Sequence, residues 1–518
     1  MMGVGRTKSA VVIGAQAHLV DVAAHITSGL PHWAMVGLPD TAISESRDRV
    51  RAAVGSSGLP WPAGRITVGL GPASLPKRGS GLDLGIAVAV LVAASDNSDS
   101  HRVAQWVMVG ELDLDGRVRP VGSVLAAAIA ARDAGIETLV VPAENGAEAN
   151  LVTGLRVLAA VSLRHVWAHV CGEEEAAARE VAAYPVAVVP VAELATHQPD
   201  LADVRGQDAA REALVIAAAG GHHMCLMGPA GVGKTMLASR LPSLLPDLDD
   251  QDALAATAIR ALVNPTAPPG LVRRPPFQAP HHTTTDIALV GGGSGDRPRV
   301  GLVTQAHTGV LFLDEAAEFS AGALDALRQS LESRRITVAR SGFNIDLPAR
   351  FQLVLATNPC ACGRALDTSG PPCSCAPNQR RRYLAKLSGP LLDRVDVRVT
   401  LRRPSIAEIT GLSGGQTTSG EAAARVREAR ACAARRFTGQ PWSVNASVPP
   451  SVVRTQWPIS AAVQEALDRT ATTRESIRGL ALCLRLAWTV ADLRGADAPS
   501  VADLDTAMAL RDAQGWAA

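Results

Sequence analysis

The residues Gly228-Pro229-Ala230-Gly231-Val232-Gly233-Lys234-Thr235 follow a short apolar run and precede a helix-like one. Glycines at this spacing let backbone N–H groups close around phosphate oxygens, and the helix that follows offers its positive end to the same anion. Lys234 can then reach the terminal phosphates of a nucleoside triphosphate, and Thr235 can give an oxygen to Mg²⁺. Downstream, Gly309-Val310-Leu311-Phe312-Leu313-Asp314-Glu315 reads as an apolar strand ending in two carboxylates. That order suits one acid, Asp314, for the metal and the next, Glu315, for general-base work on an attacking water. A further apolar strand, Phe351 to Ala356, runs into Thr357-Asn358, where an amide could orient the water or sense the γ-phosphate. Taken alone, an Asn at a strand end is more often a turn former. Arg394, in Ser388-Gly389-Pro390-Leu391-Leu392-Asp393-Arg394, is placed to be offered to a neighbouring subunit's γ-phosphate, where a cation stabilises transition-state charge. The competing reading is a salt bridge to Asp393 or Asp396.

Two further groups carry chemistry. Cys360-x-Cys362 and Cys373-x-Cys375 flank a loop rich in Gly, Pro and Ser, and four thiolates so close can satisfy tetrahedral Zn²⁺. Four reduced cysteines or a redox-labile pair are the alternatives. Ile336 to Arg340 and Asn344 to Leu347 alternate around Ser341-Gly342 as a β-hairpin does, with Arg334, Arg335 and Arg340 on or near it. Such arginines either grip a phosphate backbone without regard to sequence or are simply solvated.

These groups need several domains to position them, since 518 residues exceed one ordinary core. Hydrophobic residues make up 47% and charged residues 19%, which excludes a disordered chain. Aromatics, at 3%, leave the cores to Ala, Val, Leu and Ile. A net charge of +1 gives no global field for a nucleic-acid or membrane partner, so any DNA contact must be local. Gln16, His18 and Asp21 break the first apolar stretch, and Leu84 to Ala94 falls short of the ~18 residues of a membrane span. A cytoplasmic protein with no membrane partner is expected.

Residues 1–184 alternate strand-like runs (Ile66 to Leu70, Trp106 to Val109) with helical ones (Val124 to Ala134) and read as an α/β domain. Residues 185–202, which hold several prolines, read as a linker. A second α/β domain spans 203–400, a linker with a helix 401–445, and a helical lid 446–518.

With these residues in hand, the chain resembles the ComM subfamily of magnesium-chelatase-like AAA+ proteins over nearly its whole length. Asp203-Val204-Arg205-Gly206-Gln207 resembles the family's entry motif beside the adenine, Pro280-His281-His282 with Gly291-Gly292-Gly293 its insert, and Leu391-Leu392-Asp393-Arg394 its finger. Leu302 stands where the family usually has an acid. The resemblance makes Arg478 the second sensor arginine of the lid; a solvated arginine at a helix start is the alternative. It also implies an ATP-dependent homo-hexamer that acts on DNA regardless of sequence. Its implied activity is branch migration and heteroduplex formation as imported single strands enter a chromosome.

The front domain is similar to the protease domain of Lon, through Gly110 to Gly122 and Pro76-Lys77-Arg78-Gly79. Laying the motifs over one another puts Gly81 at the nucleophilic serine and Leu125 at the activating lysine, so a Ser-Lys dyad is not expected. The fold implied is a Lon-protease-like, ribosomal-protein-like α/β domain, a central AAA+ phosphate-loop α/β domain and a C-terminal helical lid. Other functions compatible with an ATPase core are the motor subunit of a metal chelatase and a regulatory scaffold that assembles on ATP without remodelling DNA.

Overall fold

A computed structural model describes residues 3–511 except 38–39, 41–42, 44, 78, 96–99, 185–198, 265–269, 293–298, 341–342, 368–370, 388, 411–415 and 472–476. The chain forms two compact units, one of residues 1–194 with 253–272 and one of residues 195–252 with 273–518.

The first unit is built on a seven-stranded sheet. In spatial order its strands are His32–Val36, Arg65–Gly71, Gln16–Thr27, Gly3–Ile13, Trp106–Met108, Thr138–Pro142 and Arg156–Ala160. The long hairpin Gly3–Ile13/Gln16–Thr27 is antiparallel, and the last three strands continue from it in parallel. Helix Asp83–Ala94 is buried through Ala93, as a helix apolar on every face must be. It lies so close to the first strand that a Cβ on Gly5 would fall 2.0 Å from the Ala89 carbonyl oxygen. Glycine is required there for packing. Residues 253–272 join this unit's core, where Leu254 and Ala258 pack with Ala10, Val124, Leu125 and Leu139.

The second unit holds a five-stranded, all-parallel sheet in the order Phe277–Gln278, Val310–Leu313, Gln352–Thr357, Met224–Met227, Val397–Thr400. Its three central strands are buried along their whole length, the pattern of parallel strands covered on both faces. Gln352–Thr357 begins one residue later than the hydrophobicity suggests and takes in Thr357. Helix Ser419–Arg436 starts on a capping box formed by Thr418 and Glu421 and buries Ala422, Val426, Ala429 and Ala433. Its residues share one core with helices Asp208–Gly220 and Ile477–Leu493 and with the sheet, so the expected linker 401–445 contributes a packed element. The C-terminal helices Ala461–Ala471, Ile477–Leu493 and Val501–Arg511 complete this unit. Within it the Arg436 guanidinium lies 4.4 Å from the Trp488 ring and 4.7 Å from Trp457, while bonding both Asp492 oxygens.

No helix among the described residues is long and apolar enough to cross a membrane.

Candidate active site

In an open parallel sheet, ligands sit outside the carboxyl ends of the strands. The expected chemistry gathers there on three neighbouring strands. Met224–Met227 leads into the 228–235 loop, Val310–Leu313 into Asp314 and Glu315, and Gln352–Thr357 into Asn358. Gly231 and Gly233 have φ of +76° and +93°, backbone that a side chain would strain, and Lys234 opens the following helix.

Lys234 is buried, and its Nζ donates to the carbonyls of Gly228 and Pro229 at 2.8 Å each and to Asn358 Oδ1 at 3.0 Å. Burial pulls its ammonium below the ordinary lysine value, while the Asp314 and Glu315 carboxylates act in the opposite direction. The Thr235 hydroxyl donates to Asp314 Oδ2 at 2.5 Å, and the Glu315 amide donates to Asp314 Oδ1 at 2.9 Å. A hydroxyl and a carboxylate oxygen in contact beside a phosphate-binding loop form a donor pair that fits Mg²⁺. Glu315 has φ of +51°, uncommon for a side-chain-bearing residue. Its Oε2 lies 2.9 Å from Nδ1 of His282.

That histidine is the contact the sequence did not disclose. The pair His281-His282 is conspicuous in the sequence, but only the strand order places Phe277–Gln278 beside Val310–Leu313 and so brings His282 to the acid. His281 instead bonds the Thr283 hydroxyl at 2.8 Å. The entry motif also meets the loop, since Gln207 Nε2 reaches the carbonyls of Val232 (3.3 Å) and Arg402 (2.7 Å).

Other expected residues lie elsewhere. Arg394 turns to Glu332, on helix Ala321–Ser333. Its guanidinium bonds Glu332 and the Pro390 carbonyl. Asp396 is buried with His222 at 2.9 Å and Arg485 at 3.7 Å. Arg478 lies on helix Ile477–Leu493, but its side chain falls outside the described residues. The hairpin forms as Arg335–Arg340 paired with Phe343–Pro348, with Ile336 opposite Leu347 and Val338 opposite Ile345. Ser341 and Gly342 lie outside the described residues, as does the side chain of Arg340. Arg335 is exposed, 3.9 Å from Asp346. Arg334 caps the preceding helix at φ +57° and lines a cleft of about 360 Å³ with Asp252, Arg350 and Arg430.

The four cysteines converge. Cys360 Sγ lies 3.3 Å from Cys362 Sγ and 3.6 Å from Cys373 Sγ, and all four sulfurs fall within 4.8 Å of one another. The Arg364 amide, followed by the Cys360 thiol, holds the Cys362 thiol below the usual cysteine range.

In the first unit, Leu125 is fully buried in helix Val124–Asp133 and Gly81 lies in the turn before helix Asp83–Ala94. The nearby Ser80 hydroxyl bonds Glu111, and the buried Lys77 amine bonds the Pro72 carbonyl. Neither pair of positions forms a Ser-Lys dyad.

Three family models match: "Subunit ChlI of Mg-chelatase" over residues 22–145, "Magnesium chelatase, subunit ChlI" over 200–409, and "Magnesium chelatase, subunit ChlI C-terminal" over 416–511. An uncharacterized protein of Mycobacterium tuberculosis is 46% identical over 98% of this chain and 99% of its own length. Competence protein ComM of Haemophilus influenzae is 41% identical over 80% of this chain and 79% of its own. A Lon protease of Clostridium acetobutylicum is 34% identical over 79 residues, 15% of this chain and 10% of its own. The chain thus belongs to the magnesium-chelatase-like AAA+ family, in the group that includes ComM.

Proposed function

We propose that this protein is an ATP-hydrolysing ring motor that works on DNA, with residues 203–400 as the ATPase and 446–518 as its lid. The observation that carries the ATPase reading is the convergence of Lys234, Thr235, Asp314, Glu315 and Asn358 at the ends of three adjacent parallel strands. In this reading the 228–235 amides and Lys234 bind the phosphates. Thr235 and Asp314 hold Mg²⁺, which when bound neutralises charge on the phosphate oxygens. Glu315 takes a proton from a water whose oxygen bonds the γ-phosphorus as the bond to ADP breaks. Asn358 orients that water, and Arg394 acts from a neighbouring subunit once released from Glu332. Arg478 serves the same nucleotide from the lid.

The DNA reading draws on the family and on the basic hairpin. Relatives include a competence protein, and Arg334, Arg335 and Arg340 supply cations for a phosphate backbone without base readout. A hexamer with a cytoplasmic location belongs to the same proposal, as does structural Zn²⁺ on Cys360, Cys362, Cys373 and Cys375.

The test is the rate of ATP hydrolysis with no DNA, with single-stranded DNA and with a branched junction, alongside conversion of the junction, using Lys234→Ala as the blank. Stimulation by DNA with movement of the junction is expected. Hydrolysis indifferent to DNA would leave an ATPase but remove the DNA role, and bring the chelatase-motor or scaffold functions forward.

A further inference from the structure

The loop from Cys360 to Cys375 has little apolar substance of its own. Of its described residues only Cys360 and Gly363 are buried, and Ala361, Cys362, Arg364, Pro371, Pro372 and Ser374 are exposed. Polar bonds tie it down at several points. The Gly363 amide closes a tight turn on the Cys360 carbonyl at 2.9 Å, the Arg403 guanidinium bonds Asp367 at 2.9 Å, and Arg380 Nε reaches the Cys375 carbonyl at 3.2 Å. With so little apolar surface buried, the loop would gain from a stronger bond across it.

The sulfurs have the geometry to supply one. Four thiolates around Zn²⁺ at ~2.3 Å form a tetrahedron whose S···S edges are about 3.8 Å. The edges here are 3.3, 3.5 and 3.6 Å among Cys360, Cys362 and Cys373, with Cys375 inside the same 4.8 Å cluster. These separations lie well beyond a disulfide bond of ~2.05 Å.

What the loop rests on gives the cluster a further role. Gly363, at φ +74°, faces the phosphate loop. A Cβ placed on it would sit 3.7 Å from Ala230 Cβ, 3.8 Å from the Ala230 amide nitrogen and 4.0 Å from Asn358 Cγ. Asn358 stands two residues before Cys360 and bonds Lys234 at 3.0 Å. The turn closed by Cys360 and Gly363 therefore backs both the phosphate loop and the amide that holds its lysine.

We infer that the four cysteines bind one Zn²⁺ whose role is to clamp the phosphate loop: the metal holds the 360–363 turn against Ala230 and Asn358 and so presets the loop for nucleotide. This rests on the ATPase reading for its consequence, but the clamp itself can be read without nucleotide. Zinc contributes no catalysis here. It sets how well the triphosphate is bound.

The experiment uses the full chain. Metal content of the purified protein is measured first, and about one zinc per chain is expected; iron in its place, or no stoichiometric metal, overturns the site. Zinc is then released with a mercurial thiol reagent, the reagent is removed with excess dithiothreitol, and zinc is added back to half the sample. Hydrogen exchange across residues 228–235 is compared in the two halves, and a fluorescent non-hydrolysable ATP analogue is titrated into each. Faster exchange in the zinc-free half is expected, with affinity for the analogue weaker by about tenfold, the scale of one hydrogen bond to a charged group no longer held. Zinc addition should restore both. Exchange that is unchanged by zinc overturns the clamp, even if zinc is bound. Failure of the zinc-loaded protein to bind the analogue at all, with exchange still zinc-dependent, overturns the ATPase reading and leaves the clamp standing. The double substitution Cys362→Ser/Cys373→Ser, at the exposed and half-exposed positions, should reproduce the zinc-free behaviour with unchanged far-ultraviolet circular dichroism.

Discussion

His282 Nδ1 lies 2.9 Å from Glu315 Oε2, so the carboxylate proposed as general base is engaged by a histidine from a neighbouring segment. The contact turns one carboxylate oxygen toward the imidazole, and its loss would leave that oxygen for the attacking water. His282→Ala should raise ATP hydrolysis in the absence of DNA by about three- to tenfold, the net worth of one ordinary hydrogen bond of about 1 kcal/mol. The Michaelis constant should stay near that of the unmodified protein, and DNA should stimulate the variant less. Steady-state kinetics with and without single-stranded DNA check this, and an unchanged or lower basal rate would show that the contact does not restrain Glu315.

Glu315→Gln keeps shape and hydrogen bonding but removes the base. Its turnover should fall by roughly 10²- to 10⁴-fold while nucleotide binding persists. Turnover near the unmodified value would take Glu315 out of the mechanism. Lys234→Ala should instead lose binding, since its amine is the buried cation of the loop.

Burial alone would raise the Asp396 carboxyl, but Arg485 and the hydrogen bond from His222 overcome it and hold the group below the usual carboxylate range. Its stabilising effect is complete above the unfolded carboxylate value near 4 and is lost as pH falls below that. His222 also bonds Thr489 at 2.7 Å, which ties the sheet to helix Ile477–Leu493. Asp396→Asn removes the buried charge beside Arg485 and His222 and should lower stability by ~3 kcal/mol, read as a shift in the urea midpoint at pH 7.

Three histidines, His165 buried and His223 and His307 half-buried, act at milder pH. His165, His223 and His307 are each pulled down to about 4, first by burial. In each, Nδ1 accepts a backbone N–H, from Val161, Leu353 and Arg350 respectively, which requires that nitrogen unprotonated. The unfolded chain takes up these protons near pH 6.5 and the folded one near 4, so stability is full above about 6.5 and declines as pH falls toward 4. Urea midpoints taken from pH 7 down to 4.5 should fall steadily. His223→Gln should flatten that slope, and an equal slope in the variant would remove His223 as a contributor.

The phosphate loop, Asp314 and Glu315 were legible because each motif carries its own structural context: a strand before it, a helix or turn after it, and residue types that phosphate and Mg²⁺ demand. The buried helix Asp83–Ala94 and the hairpin Arg335–Arg340/Phe343–Pro348 were legible for a similar reason, since hydrophobic run length and alternation are local. What stayed hidden depends on which strands become neighbours. His282 reaches Glu315 only because Phe277–Gln278 takes the edge beside Val310–Leu313. Arg394, which the sequence offers to a neighbouring subunit or else to Asp393 or Asp396, meets Glu332, 62 positions away in the chain. Spacing along a sequence cannot report such meetings.

The first unit is assembled from two separated stretches, 1–194 and 253–272, and this limits how the protein can be taken apart. A fragment ending at the boundary the sequence suggests, in 185–202, would lack Leu254 and Ala258 and leave their places beside Val124, Leu125 and Leu139 open to water. A fragment beginning there would carry those same residues without the core that covers them. Dissection by proteolysis or recombination at that single point should therefore yield two sticky halves, and a gene that shuffles these parts must move both stretches together.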